Sequence, residues 1–241
     1  LPELRGVGDI LVAEHLSAAA VDERGAQTAE VGGPGRCGTD RGGVRPLAVA
    51  LGDPAGIGPE IVAKAWRDRE LQALPVFFAI GAPRSIAAVW DGPIATIANP
   101  DEARAVFGEA LPVLGLSCAG EVIPGQPDDA GARCALDSLE LATGLTRSGA
   151  AGALVTGPGS KAQLYRIGFT HPGQTEFVAE RCGIAPENAV MMLAGPTLRV
   201  VPVTTHIPLA AVPQTISIEL IVAKARVTAR GLSRNFGIDA P

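Results

Sequence analysis

Four short segments of this sequence join residue types that can do chemistry to a backbone that lets a ligand come close. Gly52-Asp53-Pro54-Ala55-Gly56-Ile57-Gly58-Pro59-Glu60 follows an apolar run and opens onto a helical pattern. Glycines there permit close backbone approach, and the free N–H groups at a helix start attract an anion. The spacing is neither GxGxxG nor a Walker loop, which needs Gly-Lys-Ser/Thr. A tight strand-to-helix turn explains the same residues, with Asp53 as a cap and Glu60 as a solvated charge. Thr156-Gly157-Pro158-Gly159-Ser160-Lys161 repeats the arrangement, and Lys161 can either reach an anionic substrate or simply face water. His171-Pro172-Gly173-Gln174-Thr175-Glu176 opens another helix. There Thr175 or the free N–H groups can hold a phosphate, or Thr175 can cap the helix with Glu176 favoured by its dipole. Thr204-Thr205-His206 ends an apolar run, where a neutral imidazole suits a metal ligand or an acid/base, although a lone histidine is more often structural. The histidines are His15, His171 and His206. With one of them near the N-terminus, they do not make a three-histidine site. No HExxH and no Ser-His-Asp order occurs, which leaves hydrolase chemistry little support.

The elements that position these segments are legible from periodicity. Leu47–Leu51 is a short apolar run suited to a strand buried on both faces, and Ile61–Trp66 follows as a helix. Further strands are expected at 75–81, 94–98, 111–116 and 153–156. Helices are expected at 83–89, 133–148, 174–182 and 217–232, the last capped by Ser217. Two strands at 189–193 and 198–204, split by Gly195-Pro196, read as a hairpin. Strands alternating with helices predict an α/β sandwich with a mostly parallel or mixed sheet. Leu1–Val21 is compatible with a weak amphipathic helix, and 22–44, rich in Gly, Arg, Thr and Asp, reads as a disordered extension.

Composition narrows the function. Of 241 residues 47% are hydrophobic but only 4% aromatic, so the core must be aliphatic and rich in alanine. A net charge of −5 disfavours nucleic acid, while a small phosphorylated substrate needs only a few N–H groups and one or two cations. No apolar run is long enough for a membrane span, and no signal peptide is evident. The cysteines Cys37, Cys118, Cys134 and Cys182 fit no metal spacing, so reduced thiols in a cytoplasmic protein are expected. The sequence begins with Leu1 and has no initiator Met, so it is read as processed, trimmed or partial.

Taken together and in order, the four segments resemble the 4-hydroxythreonine-4-phosphate dehydrogenases. GDPAGIGPEI at 52–61 resembles their opening signature and the shorter loop of isopropylmalate dehydrogenases. ALVTGPGSKAQLY at 153–165, GFTHPGQTEFVAE at 168–180 and MMLAGPTLRVVPVTTHIPL at 191–209 resemble the next three blocks. The resemblance covers about 46–241, leaves 1–45 unmatched, and implies an isocitrate/isopropylmalate dehydrogenase-like sandwich that stops before its C-terminal part. It also implies NAD-dependent oxidation and decarboxylation of 4-hydroxythreonine 4-phosphate in vitamin B6 synthesis. A homodimer with its active site at the subunit interface is implied, as is a divalent metal (zinc, cobalt or magnesium) held by three histidines. His206 matches the first of these. The other two belong to Asn-Pro-His-Ala-Gly-Glu and His-Asp-Gln motifs that this sequence does not contain. Lys161 matches the second block. Thr175 matches a substrate-binding threonine, but Gln174 stands where the family has a substrate-binding histidine, and glutamine can donate a hydrogen bond without carrying charge.

Little or no activity is expected of these 241 residues alone. Gln174 keeps open a related dehydrogenase of another phosphorylated hydroxy acid or of a cis-dihydrodiol. A non-catalytic protein that only folds or binds a partner also stays open.

Overall fold

The computed structural model describes residues 11–14, 45–185, 188–195 and 198–238. Leu11–Glu14 forms a strand, β1, so the helix expected across 1–21 is overturned there. Its backbone pairs with a later strand, and strand pairing outweighs the weak helical pattern of so short a segment. The rest of the expected helix and all of the extension at 22–44 lie outside the described residues. The chain divides into two compact units, Asp40–Thr170 and His171–Pro241 with Leu1–Thr39.

The unit at 40–170 is an α/β sheet structure. Its elements are β2 (Leu47–Ala50), α1 (Gly58–Arg67), β3 (Phe77–Gly81), α2 (Pro83–Ala87), β4 (Ile94–Ile97), α3 (Ala103–Val106), β5 (Leu111–Gly115), α4 (Asp129–Arg147), β6 (Leu154–Thr156) and α5 (Lys161–Arg166). The strand order is β4-β5-β3-β2-β6 and every pair is parallel. Side chains alternate across such a sheet. Phe77 and Ala79 of β3 pack on one face with Val62, Ala63 and Trp66 of α1. Phe78 and Ile80 pack on the other with Ala142 of α4. Both faces are therefore covered, which is why the strands read as continuous apolar runs. Helix α4 starts four residues earlier than its periodicity suggested, because the side chain of Asp128 caps it, accepting from the Gly131 N–H at 2.6 Å. Helix α5, missed in the sequence, is started by Ser160, whose hydroxyl accepts from the Gln163 N–H.

The expectation of reduced thiols needs correction. Cys118, in the loop after β5, and Cys134, in the second turn of α4, form a disulfide with Cα atoms 5.4 Å apart. Their proximity comes from α4 packing beside that loop and is not legible in sequence spacing. Cys182 is half-buried and outside that disulfide, and Cys37 lies outside the described residues.

The second unit holds α6 (Gln174–Arg181), β7 (Val190–Ala194), β8 (Arg199–Val200), α7 (Val212–Thr215) and α8 (Ile218–Phe236). Strand β7 pairs in parallel with β1 and antiparallel with β8, so the hairpin around Gly195 forms. Its second strand ends at Val200, well short of the expected 204. Helix α8 begins where Ser217 caps it, its hydroxyl accepting from the Leu220 N–H. The helix runs past the expected 232 because nothing breaks it before Gly237, which closes it in the left-handed conformation. Among the described residues no helix is long and apolar enough to cross a membrane.

Candidate functional site

Each unit gathers two of the four segments. In the unit at 40–170, β2 and β6 are parallel neighbours, so the loops at their C-terminal ends emerge side by side. That edge is where open parallel α/β sheets bind ligands. The two loops are joined by backbone bonds. The Asp53 N–H donates to the Pro158 carbonyl at 3.1 Å, and the Gly157 N–H donates to the Ala50 carbonyl at 2.6 Å. Gly52 makes the approach possible. Its φ is +73°, and a Cβ there would collide with the Pro158 carbonyl oxygen.

Asp53 is neither a helix cap nor solvated. It is 3% exposed, and its Oδ1 accepts from the Ala55 N–H at 2.9 Å, while α1 starts at Ile57 without a side-chain cap. Burial pushes the Asp53 carboxyl above the usual aspartate range. The Ala55 N–H pulls it back, and the nearby charge of Asp128 pushes it up further. Glu60 is the solvated charge expected of it, paired with Lys64 at 2.6 Å on the outer face of α1. Lys161 is exposed at the first position of α5.

In the second unit the His171–Glu176 segment and His206 come together. Helix α6 starts at Gly173 with no side-chain cap, so the capping role considered for Thr175 is not what the structure holds. Thr175 is 9% exposed and Gln174 half-buried in the first turn. His171 lies against Phe177, ring centroids 5.3 Å apart, and its Nε2 is 2.7 Å from Glu180 Oε2. That hydrogen bond to His171 holds the Glu180 carboxyl below its usual range, with the charges of His171 and Arg181 adding to it.

His206 does not sit at a strand end, since β8 stops six residues earlier. It occupies an exposed loop in the left-handed region, φ 59°. Its Nε2 lies 3.4 Å from the point a Gly173 Cβ would occupy, and Glu176 Oε2 lies 3.1 Å from the same point. Glu176 Oε2 is buried and makes no hydrogen bond. Sequence reasoning read Glu176 only as a favourable charge in a first turn. Its place three residues beyond Gly173, on the side facing the helix start, was the available signal.

Comparison with known proteins adds to this geometry. The family of the pyridoxal phosphate biosynthetic protein PdxA matches residues 76–241. A 4-hydroxythreonine-4-phosphate dehydrogenase from Zymomonas mobilis is 54% identical over 198 residues, covering 82% of this chain and 59% of the relative. One from Erythrobacter litoralis is 50% identical over 203 residues, covering 82% and 60%. The crystal structure of the Klebsiella pneumoniae 4-hydroxythreonine-4-phosphate dehydrogenase superposes with a TM-score of 0.69 at 27% identity, covering 78% of this chain and 59% of that one. The chain thus spans about 60% of the length of the curated relatives it matches.

Proposed function

Since the chain belongs to the PdxA family of pyridoxal phosphate biosynthetic proteins, we propose that it carries the N-terminal portion of an NAD-dependent 4-hydroxythreonine-4-phosphate dehydrogenase. Such an enzyme oxidises the substrate's hydroxyl, with decarboxylation, in vitamin B6 synthesis. The observation that carries this reading is the meeting of His206 with Gly173. It sets the histidine expected to bind metal against the turn that presents Gln174 and Thr175. Residues 46–241 are read as the first part of an isocitrate/isopropylmalate dehydrogenase-like sandwich, and 1–45 as an extension outside it. The reading includes a cytoplasmic homodimer with its active site at the subunit interface.

A divalent metal, whether zinc, cobalt or magnesium, belongs to this reading, and the residues present fit it. An imidazole nitrogen and an orphaned buried carboxylate oxygen lie near one point, and both are donor types such ions accept. When bound, the ion polarises the reacting hydroxyl and the carbonyl formed from it. Among the described residues no three or more His, Cys, Asp or Glu gather around one point, and this reading assigns His206 as the chain's histidine in the set. Gln174 donates a hydrogen bond to the substrate, Thr175 adds its hydroxyl, and the free N–H groups of the first turn of α6 favour the phosphate.

The test is calorimetric binding of 4-hydroxythreonine 4-phosphate, of unphosphorylated 4-hydroxythreonine and of an aromatic cis-dihydrodiol. The phosphorylated ligand is expected to bind at least about tenfold tighter than either, a difference of about 1.4 kcal/mol. Preference for the dihydrodiol would overturn the reading in favour of the related dehydrogenases that Gln174 keeps open.

A further inference from the structure

The carboxylate oxygen beside His206 belongs to Glu176, and its surroundings call for a specific role. Buried polar atoms are almost always hydrogen-bonded, and an exception needs an explanation. Glu176 is the third residue of α6, where a glutamate ordinarily folds back to bond the N–H at the helix start. Its Oε2 does lie over Gly173, the capping residue, but accepts no bond. Capping therefore does not account for this oxygen. The side chain that shares the Gly173 neighbourhood with it is His206. The imidazole Nε2 and the carboxylate Oε2 lie 3.4 and 3.1 Å from one point above Gly173. The other histidine of the segment, His171, is turned to Glu180 instead. A glycine at 173 carries only a hydrogen there, and any side chain would crowd both groups.

We propose that Glu176 is a positioning residue for a divalent cation at His206, its carboxylate charge holding the ion against the neutral imidazole across the gap above Gly173. The inference rests on the reading of His206 as a metal ligand. A carboxylate on the ion's side of a histidine ligand offsets the ion's charge and adds an oxygen donor that such ions accept. Gly173 has the complementary task of keeping the gap open.

The test uses Co2+ alone as the probe. Its affinity for the 241-residue chain is measured by calorimetry, and paramagnetically shifted ring protons identify the histidine it touches. Three histidines in the chain keep the spectrum simple. Glu176→Gln preserves shape and removes charge, and is expected to weaken Co2+ by about tenfold or more while the His206 ring still shifts. Gly173→Ala is expected to weaken it as well, and far-UV circular dichroism checks that each variant folds. Should Gly173→Ala misfold, Glu176→Gln decides alone. His206→Asn is expected to abolish the site. Unchanged affinity in Glu176→Gln, with loss in His206→Asn, overturns the role of Glu176 and leaves that of His206 intact. Co2+ that leaves the His206 ring unshifted in the unaltered chain overturns both.

Discussion

Replacing Gly52 with alanine tests whether the two strand-end loops act as one piece. Two costs follow from the structure. An alanine at φ +73° occupies the left-handed region, at about 1–2 kcal/mol. Its Cβ would also strike the Pro158 carbonyl oxygen, so the loops must part and the Asp53 N–H loses its bond to Pro158, at about 1–2 kcal/mol more. Backbone on both sides leaves no flexible side chain to yield. The expected loss is about 2–4 kcal/mol, or roughly 5–15 °C in Tm for a chain of this size. Gly108→Ala is the matched control. Nothing lies within 4 Å of its Cβ and its φ is not left-handed, so a change within about 0.5 kcal/mol is expected. Urea unfolding followed by circular dichroism measures both. Equal midpoints for the two variants would refute the interlocking of the loops.

Three further outcomes are expected. Asp53 has a raised pKa when folded, so the folded state holds its proton more readily. Stability should then fall as pH rises from the usual aspartate range to the raised folded value, and level off above it. Asp53→Asn should flatten that limb in urea midpoints taken from about pH 3 to about pH 7, and an unchanged pH profile would contradict the burial of this carboxyl. Reducing the Cys118–Cys134 disulfide, whose cysteines are 16 residues apart, should lower stability by about 3 kcal/mol. Thermal melts with and without dithiothreitol read this, and Cys134→Ser should be insensitive to the reductant. In an enzyme restored to its relatives' full length, Gln174→His should raise kcat/KM for 4-hydroxythreonine 4-phosphate by about tenfold, the worth of one charge-assisted hydrogen bond. Absence of any gain counts against that substrate.

What could be read from sequence was what local pattern encodes. The runs Leu47–Ala50 and Phe77–Gly81 announced buried strands because both faces of the parallel sheet are covered. Ser217 marked the start of α8 through its own side chain. What depends on distant partners was hidden. Asp53 looks like a turn residue until β6 brings Pro158 over it. Cys118 and Cys134 look unrelated until α4 packs beside the loop. Leu11–Glu14 looks faintly helical until β7 offers an edge. The motif at 171–176 and His206 were each legible as candidates, but their meeting above Gly173 is a property of the fold alone.

The bonds between the loops after β2 and β6 also bear on how the protein folds. The two strands are far apart in sequence, with three strands and four helices between them. Pairing over such separations must first overcome the entropy of closing a long loop, so it slows folding. Asp53 N–H and Gly157 N–H find their acceptors only when β6 docks on β2. Their protection against hydrogen exchange should therefore arise late in refolding, after the amides that pair β3 with β5. The glycine loop at the sheet edge is then the last part of this unit to take its shape, and the opening that most exposes it is the undocking of one three-residue strand.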